Sequence, residues 1–219
     1  MERIPEPELM DEAEQAIAYA RADFEAPNSA FVDRYTDLVG VTEGHVLDVG
    51  CGPGDIPLRL ARHFAGLHVD GLDGAEAMLA LARDALAREP AIGDRVRFIR
   101  DDVAAASVPA VAYDAVVSNS LLHHLHEPMM LWRLVKHAAR PGAGVLVMDL
   151  YRPDSRERAA EIVATYSADE PEVLRRDFFN SLLAAFTPGE VREQLASASL
   201  HHLRVETVSD RHLLVHGRA

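Results

Sequence analysis

Val46-Leu47-Asp48-Val49-Gly50-Cys51-Gly52-Pro53-Gly54 is the stretch that decides the fold. Its opening is apolar on consecutive positions apart from Asp48, so His45 to Gly50 reads as a strand buried on both faces. Three glycines within five positions let the backbone turn sharply and admit a ligand where a Cβ would clash. Ile56 to Phe64 reads as the helix that follows. Strand, glycine turn and helix together predict an open α/β sheet whose ligand binds beyond the carboxyl ends of the strands.

The rest of the chain repeats that rhythm on the C-terminal side. Val69 to Asp73, Val96 to Ile99, Asp114 to Ser118 and Val145 to Asp149 read as further strands. Helical patterns over Ala75 to Arg88 and Pro128 to Ala139 separate them, the second closed by Pro141-Gly142. Such alternation implies right-handed βαβ crossovers and a mostly parallel sheet. His202 to Val208 and Arg211 to His216 read as a last pair of strands, joined too closely for a crossover and so antiparallel. The predicted fold is a Rossmann-like, seven-stranded, mostly parallel sheet with one antiparallel strand, helices on both faces and helical lids. One domain is expected, divided into a helical lid (1–40), a core (41–150), a helical cap (151–199) and the strand pair (200–219). In the first of these, Leu9, Ala13, Ala16, Ile17 and Ala20 recur at helical spacing, Pro27-Asn28-Ser29 interrupts, and Ala30 to Val39 forms a second helix ending at Gly40.

Composition narrows the partners. The chain has 219 residues, 22 Lys and Arg against 35 Asp and Glu, and a net charge of −13. Such a surface repels phosphate backbones and anionic lipid, and no local basic patch offsets it. A small-molecule substrate is therefore expected, with no nucleic acid and no membrane partner, in a monomer or homodimer. One cysteine excludes an intramolecular disulfide and a multi-cysteine zinc site. With no secretory start and no long apolar run, the expected compartment is the cytoplasm.

Which nucleotide the turn receives is argued from its neighbours. A dinucleotide fingerprint from Gly50 would need Gly or Ala at position 55, where this chain has Asp55. Asp48 and Asp55 suit a ligand with a positive centre and no phosphate. Asp73 ends the second strand, Asp101-Asp102-Val103 follow the third, and Ser118-Asn119 end the fourth. With VDGLDGAEAML (69–79), VRFIRDDV (96–103), YDAVVSNSLLHHLHEP (113–128) and RPGAGVLVMD (140–149), this ordered set resembles class I S-adenosylmethionine-dependent methyltransferases, in particular the small-molecule ubiquinone/menaquinone-type branch.

The resemblance implies S-adenosylmethionine as cofactor and S-adenosylhomocysteine as product. It implies that Gly50, Gly52 and Gly54 line the methionine and ribose portions. Asp73 would hold the ribose, Asp102 the adenine amino group, and Asn119 would face the methionine end. Asp48, Cys51, Gly74, Met78, Asp101, Val103 and Ser120 would complete the surround. Asp101 stands where many relatives carry glycine, which leaves open which Asp reads adenine. The implied reaction moves a methyl group to an O, N, S or C nucleophile by in-line displacement, where holding the reactants collinear is the main task.

A proton acceptor is needed only when the nucleophile enters protonated, and His123 and His124 are the candidates. No metal is expected: His123 with His126 lacks the helical H-E-x-x-H arrangement, and His201 and His202 would point to opposite faces of a strand. Tyr19, Asn28, Arg152, Arg176 and Asn180 are candidates for the acceptor pocket, with Arg21 beside Tyr19. For Arg176 and Asn180 the alternative is the solvated face of a docked lid helix; for Arg152, simple pairing with a surface carboxylate; for Asp73, a helix N-cap. The rival functions are a nicotinamide-dependent oxidoreductase and a non-catalytic binder of the same cofactor that acts through partner proteins.

Overall fold

The computed structural model describes residues 1–6 and 25–219. Over them the chain forms α1 (Glu25–Leu38), β1 (Glu43–Val49), α2 (Asp55–His63), β2 (Gly66–Asp73), α3 (Glu76–Ala87), β3 (Val96–Arg100) and β4 (Tyr113–Asn119). There follow α4 (Met129–Ala138), β5 (Ala139–Leu150), α5 (Arg156–Tyr166), α6 (Glu172–Ala184), α7 (Pro188–Ser197), β6 (Arg204–Thr207) and β7 (His212–Arg218). The seven strands form one sheet in the order β3-β2-β1-β4-β5-β7-β6. β1 to β5 pair in parallel, and β7 runs antiparallel to both β5 and β6. The expected architecture is the observed one.

Consecutive apolar residues in the central strands serve opposite faces, as the alternation of a strand requires. Leu47, Val49, Val116, Val145 and Val147 pack with Leu131, Trp132 and Val135 of α4 and with Val191 and Leu195 of α7. Val46, Ala115, Val117, Leu146 and Met148 pack with Phe31 and Tyr35 of α1 and with Ile56, Leu58 and Leu60 of α2. Burying one such side chain stabilises by roughly 1.5–3 kcal/mol, so these two layers hold the strand ends in place.

Two elements differ from the sequence reading. Pro141-Gly142 does not end a helix before a short strand; it lies inside β5. Tyr113 pairs with Ala139 and Ala115 with Gly144, so two steps along β4 span five along β5. The extra residues bulge around Gly142 (φ 81), whose N–H donates to Ala219 O at 2.8 Å. The second difference is at the N-terminal side. α1 starts at Glu25 and carries Pro27 in its first turn, where the missing N–H costs nothing. Its Phe31 and Tyr35 are fully buried against the sheet, so α1 is a layer of the core. The stretch from Leu9 to Ala20 and the candidates Tyr19 and Arg21 lie outside the described residues. Above the carboxyl end of β5, α5 and α6 close a separate small cluster through Ile162, Val163, Leu182 and Leu183.

Candidate active site

β1 and β4 are neighbours at the point where strand order reverses, so their carboxyl ends splay open there. The glycine turn leaves β1 at this point and is tied down by short-range bonds. Gly50 N–H and Cys51 N–H both donate to Leu72 O, at 2.8 and 3.0 Å, and Gly54 N–H donates to Cys51 O. Gly50, Gly52 and Gly54 all have positive φ, at 74°, 52° and 86°. They differ in what surrounds them. A Cβ on Gly50 would lie 2.7 Å from Leu121 Cδ1, and one on Gly54 would lie 2.7 Å from Phe98 Cζ. A Cβ on Gly52 would meet nothing within 4 Å. Two glycines are there for packing, and the middle one borders open space.

Asp73, at the end of β2, reaches across to this turn. Its Oδ2 accepts from Gly52 N–H at 2.8 Å and its Oδ1 from Ala75 N–H at 2.9 Å. The N-cap position of α3 is taken by Ala75, so capping is not what Asp73 is for. Gly74 follows it partly exposed, while Met78 is buried beside Ala75. Beyond β3, both oxygens of Asp101 are spent on the loop, accepting from Asp102 N–H and Ser107 N–H. Asp102 is exposed and gives one oxygen to Ala104 N–H. Val103 packs partly buried against the core.

At the end of β4, Asn119 Nδ2 donates to Asn28 Oδ1 at 3.4 Å, and Asn28 Nδ2 donates to Asp55 Oδ2 at 2.7 Å. The Asn119 Oδ1 is buried with no hydrogen-bond partner. Ser120 holds a positive φ of 58°, with its N–H on Met148 O. The Asp48 Oδ1 is a second buried oxygen without a partner. Burial, and then the charge of Asp73, push the Asp48 carboxyl up to about 8. Burial also pushes the Cys51 thiol well up, so it is inert as a nucleophile. The electrostatic expectation for the turn changes accordingly. Asp55 is paired with Arg59 at 2.5 Å and Asp48 is held protonated, so the turn is less anionic than its sequence suggested.

The cluster at the carboxyl end of β5 is built from distant parts of the chain. In the 3₁₀ turn Leu122–His124, His123 Nδ1 meets Asp149 Oδ1 at 2.5 Å. Asp149, the carboxylate that ends an otherwise apolar run in β5, also accepts from Leu122 N–H and Leu150 N–H. Burial pulls the His123 imidazole down, but Asp149 and then Glu6 outweigh it, leaving its pKa raised. Glu6 Oε1 lies 3.6 Å from His123 Nε2 and 3.4 Å from His124 Nδ1. Residues 1–6 form a strap here. Arg3 donates to His123 O and Leu125 O at 2.9 and 3.0 Å, also to Ala184 O, and stacks over Phe186. Glu6 Oε1 accepts from Ser181 Oγ at 2.9 Å.

The acceptor candidates separate on these contacts. Asn28 bonds Asn119 and Asp55 beside the glycine turn. Arg152 is 6% exposed, and its fork is spent on Met1 O, Ala185 O and Glu190. Arg176 and Asn180 are exposed on α6, where Arg176 is 3.6 Å from Asp177. Glu6, Arg3 and Ser181 escaped the sequence reading because nothing local marks them. Asp149 had a signal, a lone carboxylate within an apolar strand.

Residues 46–144 match the family model described as a methyltransferase domain. The matched stretch is a little under half of the chain. The chain is similar to an uncharacterized methyltransferase of Mycobacterium tuberculosis, 32% identical over 51% of this chain and 53% of that protein. A ubiquinone biosynthesis O-methyltransferase of Xylella fastidiosa is 28% identical over 80% of this chain and 68% of that protein. The structure of the plantazolicin methyltransferase BpumL with SAH superposes with a TM-score of 0.72 at 16% identity, covering 95% of this chain and 92% of that one. The chain spans about half the length of the first curated relatives it matches. Among the described residues no helix is long and apolar enough to cross a membrane.

Proposed function

We propose that the protein is an S-adenosylmethionine-dependent methyltransferase acting on a small-molecule O, N, S or C nucleophile. The observation that carries this reading is the cradle at Gly52. Its free side borders open space, while Asp73 holds its N–H from below. In this reading Asp73 turns its carboxylate to the ribose hydroxyls, and Asp102 reads the adenine amino group because Asp101 is fully engaged by its own loop. The orphaned oxygen of Asn119 faces the methionine end, where an ammonium would satisfy it. The sulfonium of the bound cofactor supplies an electrophilic methyl group. The protein's own work is to align the acceptor behind it, and that acceptor would enter beside His123, His124 and the strap.

The Xylella relative favours the ubiquinone-type small-molecule branch. A nucleic-acid acceptor fits poorly with a net charge of −13. Isothermal titration with S-adenosylmethionine, S-adenosylhomocysteine, a nicotinamide dinucleotide and a flavin, each alone, tests the cofactor. Micromolar binding of the first two and none of the others is expected. Saturation by a nicotinamide or flavin, with no affinity for the sulfonium or its demethylated product, ends the reading. Transfer of a labelled methyl group to a metabolite extract then separates an enzyme from a non-catalytic binder.

A further inference from the structure

We propose that Glu6, His123 and His124 form a divalent metal site of the two-histidine, one-carboxylate kind, suited to zinc or a similar first-row cation. Their ligand atoms all lie within 4.8 Å of one another. The two shorter separations, 3.4 and 3.6 Å, are too long for good hydrogen bonds. They are close to the edge of a tetrahedron with metal–ligand bonds of about 2.0–2.1 Å, an edge of roughly 3.3–3.4 Å. The third separation also lies within 4.8 Å.

The surroundings are arranged as a metal site requires. Asp149 holds His123 through Nδ1, which orients the ring with Nε2 toward Glu6. A carboxylate behind a histidine is the usual outer support of a metal-bound imidazole. Glu6 also feels the charges of Asp177 and Asp149, set against that of His123 and a hydrogen bond from Ser181. A bound cation would relieve that repulsion. The arrangement differs from the pairs the sequence offered: His126 is turned away to Glu6 O, and His201 and His202 are remote from it in the chain.

Three protein ligands leave a fourth position for water or an acceptor oxygen, whose proton the cation would make easier to remove. In that role the imidazoles hold a Lewis acid instead of taking the proton themselves. The inference goes beyond the methyltransferase reading and does not depend on it, since cofactor binding at the glycine turn can be measured without metal.

The test is titration of the full-length, chelator-stripped protein with Co²⁺ and Zn²⁺. One equivalent of Co²⁺ per chain should give the intense visible bands of a four-coordinate ion, and Zn²⁺ should displace it and raise the melting temperature. Glu6→Gln and His124→Ala should each weaken binding at least tenfold, and the double substitution His201→Ala with His202→Ala should leave it unchanged. Failure to bind a stoichiometric ion, a weak six-coordinate spectrum, or binding that survives both Glu6→Gln and His124→Ala overturns the proposal. Retained affinity for S-adenosylhomocysteine in that event leaves the methyltransferase reading standing.

Discussion

The carboxyl ends of β1 and β2 and the carboxyl end of β5 lie on one sheet, yet they are assembled in different ways. At the first, the contacts that shape the site join residues close in sequence: Asp73 with Ala75, and Gly52 with Asp73 21 residues away. At the second, they join residues far apart in the chain: Arg3 with His123 across 120 residues and Glu6 with Ser181 across 175. Closing a long loop costs more entropy than closing a short one, and a strap of six residues has little apolar burial to offset it. In the proposed reading the cofactor end is therefore the firmer platform and the acceptor end its more easily opened counterpart. Substitutions should separate the two.

The largest effect is expected at the platform. Asp73→Ala removes the carboxylate that holds Gly52 N–H and that the ribose hydroxyls would share. Hydrogen bonds to a charged group contribute about 1.5–3 kcal/mol each. Affinity for S-adenosylhomocysteine should fall by about 100-fold or more by calorimetry. Arg176→Ala, on the exposed face of α6, should leave it unchanged. Equal losses from both would mean that the platform is not where the cofactor sits.

A smaller and complementary effect is expected at the strap. Arg3→Ala frees three backbone carbonyls, on Ala184, His123 and Leu125, and exposes Phe186. Because Arg3 is only part-buried, water replaces much of what is lost, and a net cost of about 1.5 kcal/mol is reasonable. That corresponds to roughly a tenfold fall in kcat/KM for the acceptor. Affinity for S-adenosylhomocysteine should stay within about twofold, since no described contact of Arg3 reaches the glycine turn. A parallel fall in cofactor affinity would join the two regions into one cooperative unit.

The same division explains what was legible in the sequence. Gly50 to Gly54, Asp73 and Asn119 announce themselves because strand ends and turns are local, and a parallel sheet stacks those ends side by side. The Pro141-Gly142 pair misled, because a bulge anchored by Ala219 is a tertiary fact that local turn chemistry does not contain. Arg152 misled for a related reason. It does follow β5 closely, but Met1, Ala185 and Glu190 take up its fork. Glu6 carries no signal in its neighbours Pro5 and Pro7, and only the folded chain brings it to His123.

A further effect is a slope of stability with pH, and at the platform it comes from Asp48. Burial raises the Asp48 carboxyl to about 8, against about 3.9 in an unfolded chain. The folded protein thus keeps a proton that the unfolded chain releases. The associated stability is complete below about pH 4 and is lost as pH climbs toward 8. One proton sets the steepest slope at about 1.4 kcal/mol per pH unit. Asp48→Asn cannot ionise, so its melting temperature should change less than that of the parent between pH 5 and pH 8. The substitution keeps the size of the side chain and offers an amide to the site of the orphaned oxygen. Parallel pH profiles for the two proteins would show that Asp48 is already ionised in the folded state, and the turn would then carry the negative charge that its sequence suggests.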